Sequence, residues 1–310
     1  LIYWFNEWWV TMFIVLLVGV NFFTSFERIR YRNKAYGLDY TVQPATYDYE
    51  SLQQMFLRHV GEDKQTTLNI LENWKQRAGS YSKTEKPKMI VLCVSGGGLR
   101  SAIWAMQVLQ RADRLTEGRL LRHTVLITGA SGGMMGAAFL RELYLRKLQG
   151  DTLDLYDERR LESISKDILN PVAFAIVSND LFLPWATFSW GGHAYRKDRG
   201  YVFEQQFSEN TNGLLNKKLA DYRAPEQKAF IPLLYLTPSI VNDARRLIIS
   251  PHGASFMMLP PVGRSHYQEL EIDAVDFGHL FARQNADSLR FLSAIRMNAT
   301  YPYILPSVHP

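Results

Sequence analysis

The chain has 310 residues, 47% hydrophobic and 21% charged, which suits a globular α/β domain with a sizeable core and something extra at one end. Its net charge of +5 is spread along the sequence, so no basic run is dense enough to argue for nucleic acid. A single cysteine excludes an intrachain disulfide, and Cys93, inside an apolar run, reads as a small buried hydrophobe. The chain starts at Leu1 and stops at Pro310 in mid-pattern, which reads as a piece cut from a longer protein at both ends.

Residues 8–23 are apolar and, with Leu1–Phe5, amount to about 20 residues, the length of a membrane span. Trp4, Trp8, Trp9, Phe22 and Phe23 stand near its ends, as interfacial aromatics do. The basic residues Arg28, Arg30, Arg32 and Lys34 follow the apolar run, whereas a signal peptide carries its positive charge in front. The pattern predicts a transmembrane helix over 1–24, the end of a longer membrane region or a lone anchor, with the downstream domain facing the cytoplasm. Residues 25–87 read as a juxtamembrane linker, tyrosine-rich over 31–50, and a polar helical segment over 51–78.

Met89–Val94 is a continuous apolar run, expected of a parallel strand covered on both faces. The glycine turn Ser95-Gly96-Gly97-Gly98-Leu99-Arg100 follows, then a helix with Ala102, Ala105, Met106, Leu109 and Ala112 at helical spacing. Thr124–Thr128 is the next strand, Gly129-Ala130-Ser131-Gly132-Gly133 the next turn, and 133–148 the next helix. Strand–helix–strand–helix order argues a doubly wound sheet. Phe230–Leu236 and Arg246–Ser250 read as a strand pair turning near Asn242-Asp243. Residues 181–190 are aromatic and broken by proline; Leu181, Phe182, Leu183, Trp185, Phe188 and Trp190 either form a lipid-contacting lip or pack under a loop.

Gly129–Gly133 matches G-x-S-x-G, the sharp strand-to-helix turn that lifts a serine hydroxyl into an attackable position. The turn at Gly96–Gly98 offers backbone N–H groups at a helix start, where negative charge is stabilised. A nucleophile beside an anion cradle supplies two parts of an acyl-transfer site. Helix capping by Ser131 with merely tight glycine turns is the plain alternative. A short-chain dehydrogenase turn fails because position 135 is methionine and no tyrosine has lysine at +4. A dinucleotide fingerprint at Gly96, Gly98 and Ser101 has two of its three glycines. A conventional Ser–Asp–His triad has His252, His266, His279 and His309 available, none in a distinctive context.

Taken together and in this order, the two turns resemble the patatin-like phospholipase family, in a membrane-anchored, bacterial form. The resemblance runs from Lys88 to the end, with weaker echoes at Asp198-Arg199-Gly200-Tyr201 and Asn242–Arg246 and a proline-ended block at Ser293–Pro302. It implies a three-layer α/β/α patatin-like fold with a mostly parallel sheet, over 88–310, preceded by the transmembrane helix. It also implies a Ser–Asp dyad: Ser131 as nucleophile, Gly96, Gly97 and Gly98 as oxyanion donors, Gly129 and Gly133 shaping the elbow, and Arg100 shaping the loop or meeting a phosphate. The aspartate is expected in an Asp-Gly turn soon after Pro302; no Asp-Gly dipeptide occurs, so the domain reads as truncated before its base. Asp273, Asp276 and Asp287 precede the block and are out of order. The implied activity is a metal-free, cofactor-free lipid acyl hydrolase, a phospholipase A-like serine esterase whose substrates are membrane lipids. The alternative is a catalytically inactive, membrane-tethered scaffold of the same fold. Neither sets the oligomeric state.

Overall fold

The computed structural model describes residues 33–79, 86–183, 185–261, 271–301 and 304–310, with isolated positions 8, 9, 11, 12 and 15. In chain order its main elements are β1 (Asn33–Lys34), α1 (Tyr49–Gly79), β2 (Ile90–Val94), α2 (Gly98–Leu115), β3 (Thr124–Gly129), α3 (Ser131–Leu148), β4 (Thr187–Trp190), β5 (His193–Arg196), α4 (Arg199–Asn210), β6 (Leu233–Leu236), β7 (Arg246–Ile248), β8 (Ala274–Asp276), α5 (Phe291–Ala299) and β9 (Val308–His309). Among the described residues no helix is long and apolar enough to cross a membrane. The helix expected over 1–24 lies outside the described residues, apart from Trp8, Trp9, Thr11, Met12 and Val15, which are helical and exposed.

The centre is a parallel sheet in the order β2–β3–β6, with Leu92 opposite Ile127 and Ile127 opposite Leu234. Side chains alternate between the two faces of a strand. Leu92, Ile127, Leu234 and Leu236 join Met106 and Leu109 of α2 and Met134 and Ala138 of α3 in the main core. Val125, Leu233 and Tyr235 instead meet Ile70 and Trp74 of α1. Helices therefore cover the sheet on both sides. α1 begins where the Asp48 carboxylate accepts from the Ser51 N–H at 2.8 Å, a side-chain cap on an otherwise orphaned donor.

β2 departs from expectation. Among the described residues it is an edge strand, and α1 lies over β3 and β6 rather than over it, so one of its faces has no helix of that set against it. Val91 is 48% exposed, and Cys93, expected in the core, is exposed too. A continuous apolar run cannot distinguish a central strand from an edge strand with one bare face.

The pair read at Phe230–Leu236 and Arg246–Ser250 is joined in antiparallel fashion: the Leu236 and Ile249 backbones exchange hydrogen bonds of 3.1 and 2.8 Å, the Leu247 N–H donates to the Pro238 carbonyl at 2.8 Å, and the chain turns between Ile240 and Arg245. β7 then pairs in parallel with β8. β4 and β5 form a hairpin in which Trp190 faces His193, leaving Gly191 and Gly192 as the turn at φ +60° and +87°. Such a turn needs positive φ at both central residues.

The segment after β1, irregular as read, is built into the core: Ala35, Tyr36 and Leu38 are fully buried. β1 pairs with β9, and Asn33 Oδ1 accepts from Arg296 Nη1 at 2.8 Å. Arg296 also donates to Glu204 at 2.7 Å; both side chains are wholly buried, and burial pushes the Glu204 carboxyl up. Asp198 caps α4 by accepting from the Tyr201 N–H at 2.7 Å, and a Cβ at Gly200 would stand 2.6 Å from the Arg296 guanidinium. The Asp198–Tyr201 echo is thereby accounted for by packing.

Candidate active site

β3 ends at Gly129, and the chain reverses into α3 within two residues. Gly129 has φ +146°, Ala130 is extended, and Ser131 takes φ +50° at the first position of the helix. A non-glycine residue held in the left-handed region costs about 1–3 kcal/mol and persists only where its surroundings impose it. Here the surroundings are the glycine turn after β2. A Cβ on Gly132 would overlap the Gly98 carbonyl, and one on Gly133 would overlap the Ser95 carbonyl. A Cβ on Gly129 would overlap the Val94 carbonyl, whose oxygen accepts from the Ala130 N–H at 3.1 Å. The two turns are thus in backbone contact, and only glycine permits it.

Gly96 lies over the serine: a Cβ there would be 3.3 Å from Ser131 Cβ. Gly97 and Gly98 have φ +141° and +62°, and α2 starts at Gly98. The first N–H groups of a helix have no intrahelical acceptor. The Ser101 hydroxyl donates to the Ser95 carbonyl at 2.6 Å and closes the turn from within. Ser95 to Gly98 and Arg100 are exposed and Ser131 is half-buried, so the juncture opens to solvent. Among the described residues the Arg100 side chain makes no hydrogen bond or ion pair.

Asn298, near the end of α5, was not singled out by the sequence beyond its place in an Asn-Ala-Thr acceptor pattern. Its amide donates to the Gly129 carbonyl at 3.2 Å, and its carbonyl oxygen accepts from the Thr237 N–H at 3.0 Å. It ties the elbow to the chain leaving β6. Its position inside the Ser293–Pro302 block was the available signal.

Among the described residues no carboxylate or imidazole hydrogen-bonds to Ser131. Asp273 pairs with Arg246 at 2.6 Å, Asp287 pairs with Arg223, and Asp276 caps the short helix Phe277–Leu280. His252 is buried 3.6 Å from Glu226; burial lowers the imidazole to about 4 and raises the carboxyl to about 7. His279 contacts Asp63 at 2.9 Å and stacks on His59 with centroids 3.8 Å apart. His252 and His279 line a cavity of about 160 Å³, together with Arg223, Asp276 and Asp287, that contains neither Ser131 nor the glycine turn. His266 lies outside the described residues, and His309 belongs to β9.

No protein-family model matches the chain, and no curated protein matches it. Among solved structures, human GIVD cytosolic phospholipase A2 in complex with methyl γ-linolenyl fluorophosphonate is similar over 77% of this chain, at 15% identity and a TM-score of 0.44. The same enzyme with that inhibitor and terbium chloride gives 14% identity and 0.43 over 77% of this chain. Without inhibitor it gives 16% and 0.38 over 62% of this chain and 26% of its own. In the two inhibitor complexes the match spans 34% of the enzyme's chain, about a third of its length.

Proposed function

We propose that the protein is a lipid acyl hydrolase in which Ser131 is the nucleophile. The observation that carries this reading is the left-handed backbone of Ser131, held there by the Gly96–Gly98 turn in direct contact with it. A capping serine needs no such conformation; N-caps take ordinary extended backbone. The resemblance of both turns to patatin-like phospholipases supplies the rest of the reading.

In the proposed reaction, Ser131 Oγ attacks an ester carbonyl and its proton passes to an aspartate, placed after the Ser293–Pro302 block. The carbonyl oxygen takes up negative charge, and N–H groups at Gly97, Gly98 and Gly132 stabilise it. Losing one such donor costs on the order of 3 kcal/mol. The C–O bond to the alcohol breaks, and the alcohol leaves with the proton. Water then cleaves the acyl-serine ester, releasing the fatty acid and restoring the hydroxyl. Arg100, exposed beside the turn, is suited to a lipid phosphate. The apolar N-terminal segment, read as a span, would hold the domain on the cytoplasmic side of the bilayer containing its substrate.

A second reading has its own observation: among the described residues Ser131 has no base, as a membrane-tethered lipid-binding scaffold would allow. Lipid-ester hydrolysis by the full-length protein beside its Ser131→Ala variant separates the two. Loss of activity in the variant supports the hydrolase. Equal activity in both removes Ser131 from the chemistry, and inactivity of both folded proteins on mixed lipids supports the scaffold.

A further inference from the structure

From Ile168 to Tyr195 the sequence carries one formal charge, Asp180. That carboxylate is turned into an ion pair with Arg199 at 3.4 Å. The helix Leu169–Ala175 continues as a π-helix over Ile176–Phe182, and Val172 and Ala175 face the core. A helix on a protein surface normally presents polar residues outward. This one presents Leu169, Phe174, Val177 and Phe182, and the chain beyond it presents Leu183 and Trp185. Phe174 is 73% exposed and Trp185 72%. Exposed apolar faces of this kind mark contact sites for a protein or a membrane.

The structure also divides the six residues that the sequence offered as a lip. Phe182, Leu183 and Trp185 point outward. Phe188 turns inward onto Tyr36 and Tyr201, with ring centroids 4.8 and 4.4 Å away, and Trp190 lies under the Arg290 guanidinium at 4.9 Å. The Leu181 side chain lies outside the described residues. Leu169, Phe174 and Val177 are additions that no sequence pattern marked.

We propose that the outward face of residues 169–185 inserts into the surface of an anionic phospholipid bilayer. Charge argues for this occupant. The strip itself offers no exposed charge; Asp167, just before it, is exposed and occupied in accepting from the Leu169 N–H at 2.9 Å. Arg196 and Lys197, further along the chain, are tied to the strip where the Lys197 N–H donates to the Ala186 carbonyl at 2.7 Å and Asn179 donates to the Lys197 carbonyl at 2.8 Å. An apolar, aromatic face with cations at its edge is the arrangement that binds interfaces, its residues sinking about 5–10 Å into the headgroup boundary. The helix Leu169–Ala175 packs on α4, whose Glu204 is bonded to Arg296 of α5, and α5 carries Asn298 on the elbow. The face is therefore joined to the Ser131 turn through buried helices. The choice of a lipid occupant rests on the hydrolase reading.

The test uses the full chain with Cys93→Ala and one new cysteine carrying an environment-sensitive fluorophore, at Phe182→Cys or, as control, at Lys75→Cys on α1 across the sheet. Vesicles contain phosphatidylcholine and phosphatidylglycerol, with or without a lipid-borne nitroxide quencher. The position-182 label should shift to the blue and be quenched several-fold more than the position-75 label, and adding Phe174→Ser and Trp185→Ser should abolish the difference. Equal quenching at both positions, or none at 182, overturns the inference. So does lipid-independent shielding of position 182 that rises with protein concentration, which would make the face a contact between copies. Adding Ser131→Ala leaves the quenching unchanged, so failure of the hydrolase chemistry and failure of insertion are read separately.

Discussion

Asn298 and Gly129 are joined across 169 positions of sequence by one hydrogen bond of 3.2 Å, from the Asn298 amide to the carbonyl of the last residue of β3. The same side chain accepts from the Thr237 N–H at 3.0 Å, so one amide serves both a donor and an acceptor on separate strands' exits. Its replacement by alanine leaves both backbone groups without that partner.

Asn298→Ala is expected to lower stability by about 1–3 kcal/mol, the cost of unsatisfied backbone groups. It should also move Ser131, and misplacement of a reacting group costs up to about a hundredfold in rate. The expected signature is a fall in kcat with KM little changed, measured on a soluble ester. Asn298→Asp, which puts a carboxylate oxygen where the amide donor faces Gly129, should be no better. Unaltered kcat with lowered stability would reduce Asn298 to a packing role.

Ser131 is strained, and the strain can be measured. Ser131→Gly removes the steric cost of φ +50°, whereas Ser131→Ala keeps it. The glycine variant should be the more stable in urea unfolding, by about 1 kcal/mol, although in an ordinary helical conformation glycine is the less stable of the two. Both should lose hydrolysis. An alanine variant as stable as the glycine variant would mean that the backbone relaxes to an ordinary helical entry.

The elbow was legible because its backbone requirements show in residue type: Gly129, Gly132 and Gly133 stand where any Cβ meets a carbonyl of the neighbouring turn. The layering was legible from alternating strand and helix patterns. Strand order was not. Cys93 and Val91 are apolar in sequence yet lie on a bare edge, because nothing local says which strand of a parallel sheet is outermost. Residues 35–38 looked like linker for a related reason: what buries them is a polar knot assembled from β1, α4 and α5, and ion pairs between distant segments leave no periodicity. The partition of the aromatic segment, with Phe182 and Trp185 outward and Phe188 inward, is likewise set by Tyr36 and Tyr201.

That polar knot predicts a marked response to mutation. Glu204 accepts from Arg296 Nε and from Ser293 Oγ, each at 2.7 Å, and from Arg290 at 3.2 Å. Removing one partner of a buried pair costs about 3–5 kcal/mol, because the remaining charge has lost its compensation. Arg296→Met should therefore destabilise by that amount in urea unfolding, and release Asn33 and the Lys34 carbonyl that it also holds. Adding Glu204→Leu should restore part of the loss. Additive effects of the two substitutions would show that they do not interact.

The contact of α1 with the rest of the domain should depend on pH. The hydrogen bond that His279 donates to Asp63 raises the imidazole above its ordinary 6.5 despite partial burial, and Asp276 and Glu62 act in the same direction. Burial would raise Asp63, but the hydrogen bonds from His279 and Ser255 outweigh it and hold the carboxyl below 3.8. His59, stacked on His279, is lowered by burial and by the charge of His279. A raised imidazole contributes stability that is complete below its unfolded pKa and lost as pH rises through the folded one. A lowered carboxyl contributes above its unfolded pKa and loses that contribution as pH falls through the folded one. The pair is at full strength between about pH 4 and 6.5, above the unfolded carboxyl value and below the unfolded imidazole value. Urea unfolding at pH 5.5 and 8.5 should show the native protein losing more stability over that rise than His279→Gln, which cannot charge. The Glu226 carboxyl, raised to about 7, also favours the lower pH, but it is common to both proteins and cancels in the comparison. An identical loss in both would place the charge of His279 outside the balance that docks α1.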